Sequence, residues 1–330
     1  MNIKKIYSIL ADQPKFRLQQ INHLLFQDLI TDWDQATVLP KDLRESLAKE
    51  CSLEIEAETK HLANNSTKAM IVLEDGLRIE TVLINNYDGR NTVCVSSQVG
   101  CSLGCAFCAT GAMGFKRNLT AQEIFEQVLF FARRLKLMNQ KIDNIVFMGM
   151  GEPLLNLDNV LDAIKTFNDP KCFNLGIRRI SISTAGIKAG IEKLKNSGLQ
   201  INLALSLHAA DDKLRAELMP VHRSTNLKEL MGVIKDYAQT TNRQIMFEYI
   251  MLKDVNDSEI DAEKLASLLD DHRLYLVNLI NYNQTGKFTP STSARIRNFK
   301  NILMRAGLKV TVRDSHGQDI NAACGQLATE

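Results

Sequence analysis

The chain lacks an excess of charge of either sign. Its 330 residues carry 40 Lys+Arg against 38 Asp+Glu, a net +2, which excludes a strongly basic coat for nucleic acid but leaves room for a local basic face. It also lacks a long apolar run. The start, Met1-Asn-Ile-Lys-Lys-Ile-Tyr7, has two lysines with no hydrophobic stretch behind them, so neither a signal peptide nor a membrane span is expected, and the location expected is cytoplasmic. No low-complexity tract is present. Nor is there an even cysteine framework: the count is seven, and four of the seven fall within 94–108. That pattern suits a reducing compartment and a metal site rather than a disulfide scaffold. A hydrophobic content of 45% over this length suffices for one large core and a small accessory unit.

Residues 1–68 are polar and helix-biased, with apolar positions at helical spacing in Phe16, Ile21, Leu24, Leu25, Leu29 and Ile30, and with Pro14 and Pro40 as punctuation. They read as a helical accessory domain. Residues 69–90 follow as a β-hairpin extension, with two apolar runs turning at Asp75-Gly76. Residues 91–330 alternate short β-rich runs with helical ones. The expected strands are 92–97, 144–148, 179–183, 202–207, 246–251, 274–281 and 309–313; the expected helices include 121–137, 157–167, 227–239 and 262–270. Such alternation implies an α/β fold with a parallel sheet, and six or so units make a partial barrel rather than a closed one. Several strands end in Gly or polar residues, at 149–153, 183–186, 206–208 and 281–283, where a barrel places its ligands.

The segment Cys101-Ser-Leu-Gly-Cys105-Ala-Phe-Cys108 carries the most chemical information. Three thiolates at this spacing can hold three irons of a 4Fe-4S cluster and leave the fourth open. An open iron can chelate the amino and carboxylate groups of S-adenosylmethionine, and an electron then splits that cofactor to a carbon radical. The competing reading is structural zinc, with Cys94 as fourth ligand. Zinc patterns usually use two well-separated pairs, however, whereas these three cysteines share one glycine-rich loop.

The longer string from Cys94-Val-Ser-Ser-Gln-Val-Gly-Cys101 through Cys108-Ala-Thr-Gly111, with Gly114-Phe-Lys-Arg-Asn-Leu-Thr120, resembles the RlmN/Cfr family of radical S-adenosylmethionine RNA methyltransferases. Further matching stretches are Phe147-Met-Gly-Met-Gly-Glu-Pro-Leu-Leu-Asn156, Ser206-Leu-His-Ala209, Tyr249-Ile-Met-Leu252, Val255-Asn-Asp257, Val277-Asn-Leu-Ile280 and Asp319-Ile-Asn-Ala-Ala-Cys-Gly-Gln-Leu327. The likeness runs over nearly the whole chain. It implies a partial (β/α)6 radical-SAM barrel and methylation of adenosine carbon in 23S rRNA and, for the carbon-2 branch, in tRNA 3′ of the anticodon. It also implies two cofactor molecules per turnover, a reductant such as flavodoxin or ferredoxin, and a monomer.

Carbon 2 of adenine lies between two ring nitrogens and is no nucleophile, so a radical route is chemically required. By the same resemblance, Cys324 accepts the methyl group and yields a hydrogen atom from it. Cys94 then resolves the RNA adduct through a disulfide with Cys324, and Glu80 is the proton acceptor. Gly151, Glu152, Ser183, Ser206, Leu207, His208 and Asn283 contact the cofactor. Read without the family, Cys324 is a small core thiol, His208 a satisfied structural histidine, and Glu80 an exposed strand carboxylate. Cys51 and Cys172 match no motif and read as apolar thiols. Lys116 and Arg117 are the basic residues nearest the cysteine loop and are candidate phosphate contacts. Carbon-8 methylation, which in the family confers ribosome-antibiotic resistance, is the alternative activity. A non-catalytic, zinc-stapled RNA-binding protein is the third reading.

Overall fold

A computed structural model of the chain describes residues 1–61, 66–221, 225–269, 273–313 and 321–328. Gly317, Asp319 and Ile320 near the C-terminal motif, and Asp270 at an expected helix end, lie outside the described residues. The chain opens with α1 (Ile3–Ile9), α2 (Phe16–Phe26) and α3 (Lys41–Glu50). Ile21, Leu24, Leu25 and Ile30 are buried as their spacing demands, while Phe16 is half exposed. These helices close around Trp33, whose indole N–H donates to the Cys51 carbonyl at 2.6 Å.

Helical character stops at Glu50, earlier than the helix-biased stretch 1–68 suggested. Residues Ala57–His61 instead form β1, an edge strand paired antiparallel with β2 (Ser66–Val72) from Ala57↔Ile71 to His61↔Thr67. Its sequence, Ala-Glu-Thr-Lys-His, has no apolar alternation. The free N–H and C=O groups along β2 draw it into the sheet, and its charged side chains suit an edge. The expected hairpin joins β2 to β3 (Arg78–Asn85), with Gly76 at φ +79° in the turn.

Next come β4 (Asn91–Cys94), β5 (Gln98–Gly100), α4 (Ala109–Ala112), β6 (Phe115–Asn118), α5 (Ala121–Lys136) and β7 (Asn144–Phe147). They are followed by α6 (Leu157–Asn168), β8 (Ile180–Thr184), α7 (Lys188–Asn196), β9 (Asn202–Ser206), α8 (Asp212–Leu218) and α9 (Leu227–Thr241). The last are β10 (Ile245–Met251), α10 (Glu259–Leu268), β11 (Tyr275–Asn281), α11 (Ser293–Arg305) and β12 (Lys309–Arg313). The ten-stranded sheet runs β1-β2-β3-β4-β7-β8-β9-β10-β11-β12, antiparallel up to β4 and parallel thereafter. Its parallel part is six strand–helix units and a final strand, the partial barrel that the alternation of strands and helices implied. Alternating strand residues such as Ile145 and Phe147, Ile180 and Ile182, and Phe247 and Tyr249 are fully buried, as a sheet covered by helices requires. Five of the barrel helices start on side-chain caps: Thr120, Asp211, Asn226, Ser258 and Thr292 each accept from a backbone N–H in the first turn.

One feature positions the cysteine loop. β5 and β6 form a separate two-stranded antiparallel ribbon, and residues 101–114 run between its strands. Cys101 N–H closes the ribbon onto Gly114 O at 3.1 Å. Gly100 has φ +72°, and a Cβ there would sit 1.8 Å from that same carbonyl oxygen. Only glycine fits. Gly100→Ala is therefore expected to cost about 3 kcal/mol and to lower the melting temperature by several degrees. Calorimetry checks this; an unchanged melting temperature would mean that the ribbon yields without cost.

Candidate active site

The loop, the polar strand ends and the C-terminal segment meet at one cavity. Cys101, Cys105, Cys108, Gly149, Gly151, Glu152, Ser183, Ser206, His208, Glu248, Arg313 and Cys324 all line it. A larger hollow of about 1130 Å³ lies elsewhere, under the N-terminal helices, and holds none of these groups. Beneath the cysteine loop, Phe107, Ala185, Ala209, Leu218, Met219, Ile250, Leu252 and Tyr282 form a second, smaller apolar cluster against which Cys105 and Cys108 pack. The loop thus rests on a dry floor.

Burial pushes the Cys101 thiol up to about 11 and raises Cys105 further, with the neighbouring thiols adding to both. All three are free. They line the cavity together and are electrostatic neighbours of one another. Cys94, the fourth ligand in the zinc reading, is buried on β4 and does not line this cavity. The donor set therefore fits a three-cysteine cluster better than a four-cysteine staple.

Glu152 sits after β7, its carboxylate turned into the cavity wall. Ala185 N–H donates to one oxygen at 2.8 Å and Leu154 N–H to the other at 3.0 Å. Burial nonetheless raises its pKa to about 7, because those donors only partly offset desolvation. Gln98 holds the preceding turn by accepting from Glu152 N–H at 2.8 Å. Gly151 has φ +95°, and a Cβ there would strike the Gln98 side chain at 2.5 Å. The Ser183 and Ser206 hydroxyls, on neighbouring strands, lie 3.3 Å apart at the rim.

His208 is buried in a left-handed turn (φ +60°), with Nδ1 accepting from Ile250 N–H at 3.1 Å and the Phe107 ring edge-on at 4.7 Å. Burial and the nearby Arg215 hold its pKa down to about 3, so the ring is neutral. Leu207 does not line the cavity. Its carbonyl accepts from Arg215 Nε at 3.1 Å. Asn283 too lies behind the wall, where its amide donates to Cys324 O at 3.0 Å.

Cys324 lines the cavity and is exposed to solvent there, although many protein atoms surround its sulfur. Burial raises its thiol, and the Arg313 charge opposes that rise. Cys94 is its electrostatic neighbour; burial first and Cys324 second push the Cys94 thiol up to about 12. The two cysteines are thus brought together, both as free thiols. Glu80 is placed differently from the other candidates. It is buried on β3, does not line the cavity, and is ion-paired with Lys68 at 2.6 Å.

Arg117, expected as a phosphate contact, is already committed: it pairs with Asp75 at 2.7 Å and forks onto Glu123 at 2.8 and 2.9 Å. Lys116 beside it is exposed. Arg215 was not foreseen. Its guanidinium is fully buried and donates to the carbonyls of Ala185 (2.8 Å), Leu207 (3.1 Å) and Ser206 (3.2 Å), tying the ends of β8 and β9 together. Nothing in a single sequence separates it from a solvent-facing helix arginine.

Residues 95–266 match the radical SAM superfamily model. A "probable dual-specificity RNA methyltransferase RlmN" of Chlorobium phaeobacteroides is 44% identical over 96% of this chain and 91% of its own length. A "ribosomal RNA large subunit methyltransferase Cfr" of Lachnoclostridium phytofermentans is 41% identical over 98% and 96%. The crystal structure of a radical SAM methyltransferase from Sphaerobacter thermophilus superposes with a TM-score of 0.93 at 41% identity, covering 99% of this chain and 97% of that one.

Glu152 carries the pH signature of the site. With a folded pKa near 7 against an ordinary carboxylate value, ionisation costs the empty fold stability as pH rises from about 4.5 to 7, and creates a better acceptor for an ammonium group over the same range. S-adenosylmethionine should therefore bind the cluster-loaded protein more tightly at pH 8 than at pH 5.5, by roughly ten-fold. Equilibrium dialysis measures this; equal affinity would remove Glu152 from ammonium recognition.

Proposed function

The chain belongs to the RlmN/Cfr family of radical S-adenosylmethionine RNA methyltransferases, and from that premise we propose that it methylates carbon 2 of adenosine in 23S rRNA and in tRNA. The observation that carries the reading is the presence of Cys324 at the cavity of the three-cysteine loop, with Cys94 behind it. A passive binding protein needs neither. The strings Glu152-Pro-Leu-Leu-Asn156 and Cys94-Val-Ser-Ser-Gln-Val99 favour carbon 2 over carbon 8.

Cys101, Cys105 and Cys108 would hold a 4Fe-4S cluster, and Gly151, Glu152, Ser183 and Ser206 line the space for S-adenosylmethionine beside it. When bound, these groups supply a methyl group, an electron and a hydrogen-abstracting radical, at the expense of two cofactor molecules per turnover. Glu152 would receive the ammonium end of the cofactor, and Gly151 would let the backbone approach it. The neutral His208 ring packs against the Phe107 loop, so its part is to shape the pocket rather than to transfer a proton.

Cys324 takes the methyl group on sulfur and, after losing a hydrogen atom from it, offers carbon to the base. By the family likeness Glu80 is the acceptor of the proton lost from the adduct, acting from behind the cavity lining, where it is tied to Lys68 and to the segment that carries Cys324. Cys94 then attacks the Cys324 sulfur: the disulfide forms as the carbon–sulfur bond breaks, the released carbon takes a proton derived from water to become the methyl group, and the one electron left over from radical addition would return to the cluster. The target base must leave its stack to reach the cavity. We assign residues 1–68 as an accessory RNA-contacting unit, residues 69–90 as the hairpin extension and residues 91–330 as the catalytic barrel.

The test is anaerobic reconstitution with iron and sulfide, incubation with rRNA and tRNA, and mass spectrometry of the digested nucleosides. A methyl group at carbon 2 is expected, and one at carbon 8 would move the protein to the Cfr-type activity. Cys324→Ala should abolish product; product from that variant would refute the relay. Cys94→Ala should instead trap RNA covalently on Cys324, seen as a protein band retarded in denaturing gels until nuclease is added.

A further inference from the structure

Lys68 and Glu80 face each other diagonally across the β2–β3 hairpin, since the register pairs Met70 with Glu80 and Lys68 with Val82. Their charged groups are 2.6 Å apart and their side chains only 8% and 5% exposed. Burying such a pair stabilises a fold little or not at all compared with apolar residues of similar volume. What the charges do here is reach beyond the hairpin. Lys68 Nζ also donates to Asn321 O at 3.3 Å. The second Glu80 oxygen accepts from Ala328 N–H at 2.9 Å.

Asn321 and Ala328 are the two ends of the described C-terminal segment, and Cys324 lies between them. The segment's other anchors are on the opposite side. Ala109 N–H donates to Gly325 O at 2.7 Å, Thr110 Oγ1 to Leu327 O at 2.5 Å, and Asn283 to Cys324 O. One set of bonds thus fixes the segment to the cysteine loop and barrel rim. The bonds of the ion pair tie it to the hairpin that borders β4, the strand of Cys94.

We propose that Lys68 is a positioning residue of the methyl relay: paired with Glu80, it clasps both ends of the 321–328 segment and so sets Cys324 against the cavity and against Cys94. This rests on the reading of Cys324 as methyl acceptor. An apolar residue at position 68 could fill the space but could not bind the Asn321 carbonyl or orient the Glu80 carboxylate toward the Ala328 amide.

The experiment uses the full chain, loaded with its cluster, and reads two quantities: hydrogen exchange of the 321–328 amides, and methylation of the Cys324 peptide by S-adenosylmethionine without RNA. Lys68→Met should speed exchange in that segment by about ten-fold, leave the 98–118 ribbon unchanged, and slow Cys324 methylation to a similar degree. Lys68→Arg, which keeps the cation, should recover most of both. Because Lys68→Met strands a buried carboxylate and can weaken folding, Ala328→Pro serves as the second variant. It deletes the amide donor to Glu80 while the buried pair stays whole, and it should loosen the segment in the same direction. Segment exchange unchanged in both variants would overturn the proposal, as would exchange that rises evenly through β1–β3 in Lys68→Met with none in Ala328→Pro. If the wild-type protein never methylates Cys324, the relay reading fails, and the exchange comparison still decides the clasp.

Discussion

Two short hydrogen-bonded contacts make the site a site. Ala109 N–H meets Gly325 O, and Thr110 Oγ1 meets Leu327 O across 217 residues of sequence. They dock the C-terminal segment on the helical turn that follows Cys108. Together with Asn283 and the Lys68–Glu80 pair, they give Cys324 its neighbours. With them, it shares a cavity with three other cysteines, a buried carboxylate and the polar ends of the barrel strands. The barrel provides the common floor; the docking decides what chemistry can occur on it.

The cavity is costly by the ordinary rules of folding. It buries Glu152, keeps His208 neutral, and desolvates Arg215 enough to lower its pKa to about 10. Each group is held by backbone partners rather than by an opposite charge. Glu152 takes two N–H donors, His208 one, and Arg215 gives to three carbonyls. Such fixed dipoles need no rearrangement when a charged ligand enters. Charge pairing is present as well: Glu248 and Arg313, both on the cavity lining, approach at 3.5 Å, and Lys68 pairs with Glu80 at 2.6 Å behind that lining.

The parallel strands, the hairpin at Asp75-Gly76 and the three-cysteine loop were legible in the sequence because each has a local signature: β-rich runs between helical periods, a turn dipeptide, and fixed spacing. β1 was not, since Ala57–His61 has a polar sequence and becomes a strand only because β2 offers an edge. The placement of Glu80 was half legible. Its candidacy came from a family likeness, whereas its burial against Lys68 and its bond to Ala328 depend on a register that no local pattern reports. Arg117 read as a free cation and is a forked ion-pair centre, because its partners Asp75 and Glu123 lie on a hairpin turn and a helix start that only the fold brings together. Arg215 gave no signal at all: the carbonyls it ties belong to strand ends in other parts of the chain.

The account stands or falls on whether carbon reaches RNA by way of Cys324. The direct measurement supplies S-adenosylmethionine with a fully deuterated methyl group to the reconstituted protein and weighs the methyl group in the RNA product. Passage through the Cys324 sulfur, with loss of one hydrogen there and its replacement from water at release, leaves a methyl group carrying two deuterium atoms and one protium. A product that kept all three deuterium atoms would show that the methyl group moved intact, and that Cys324 is not its carrier.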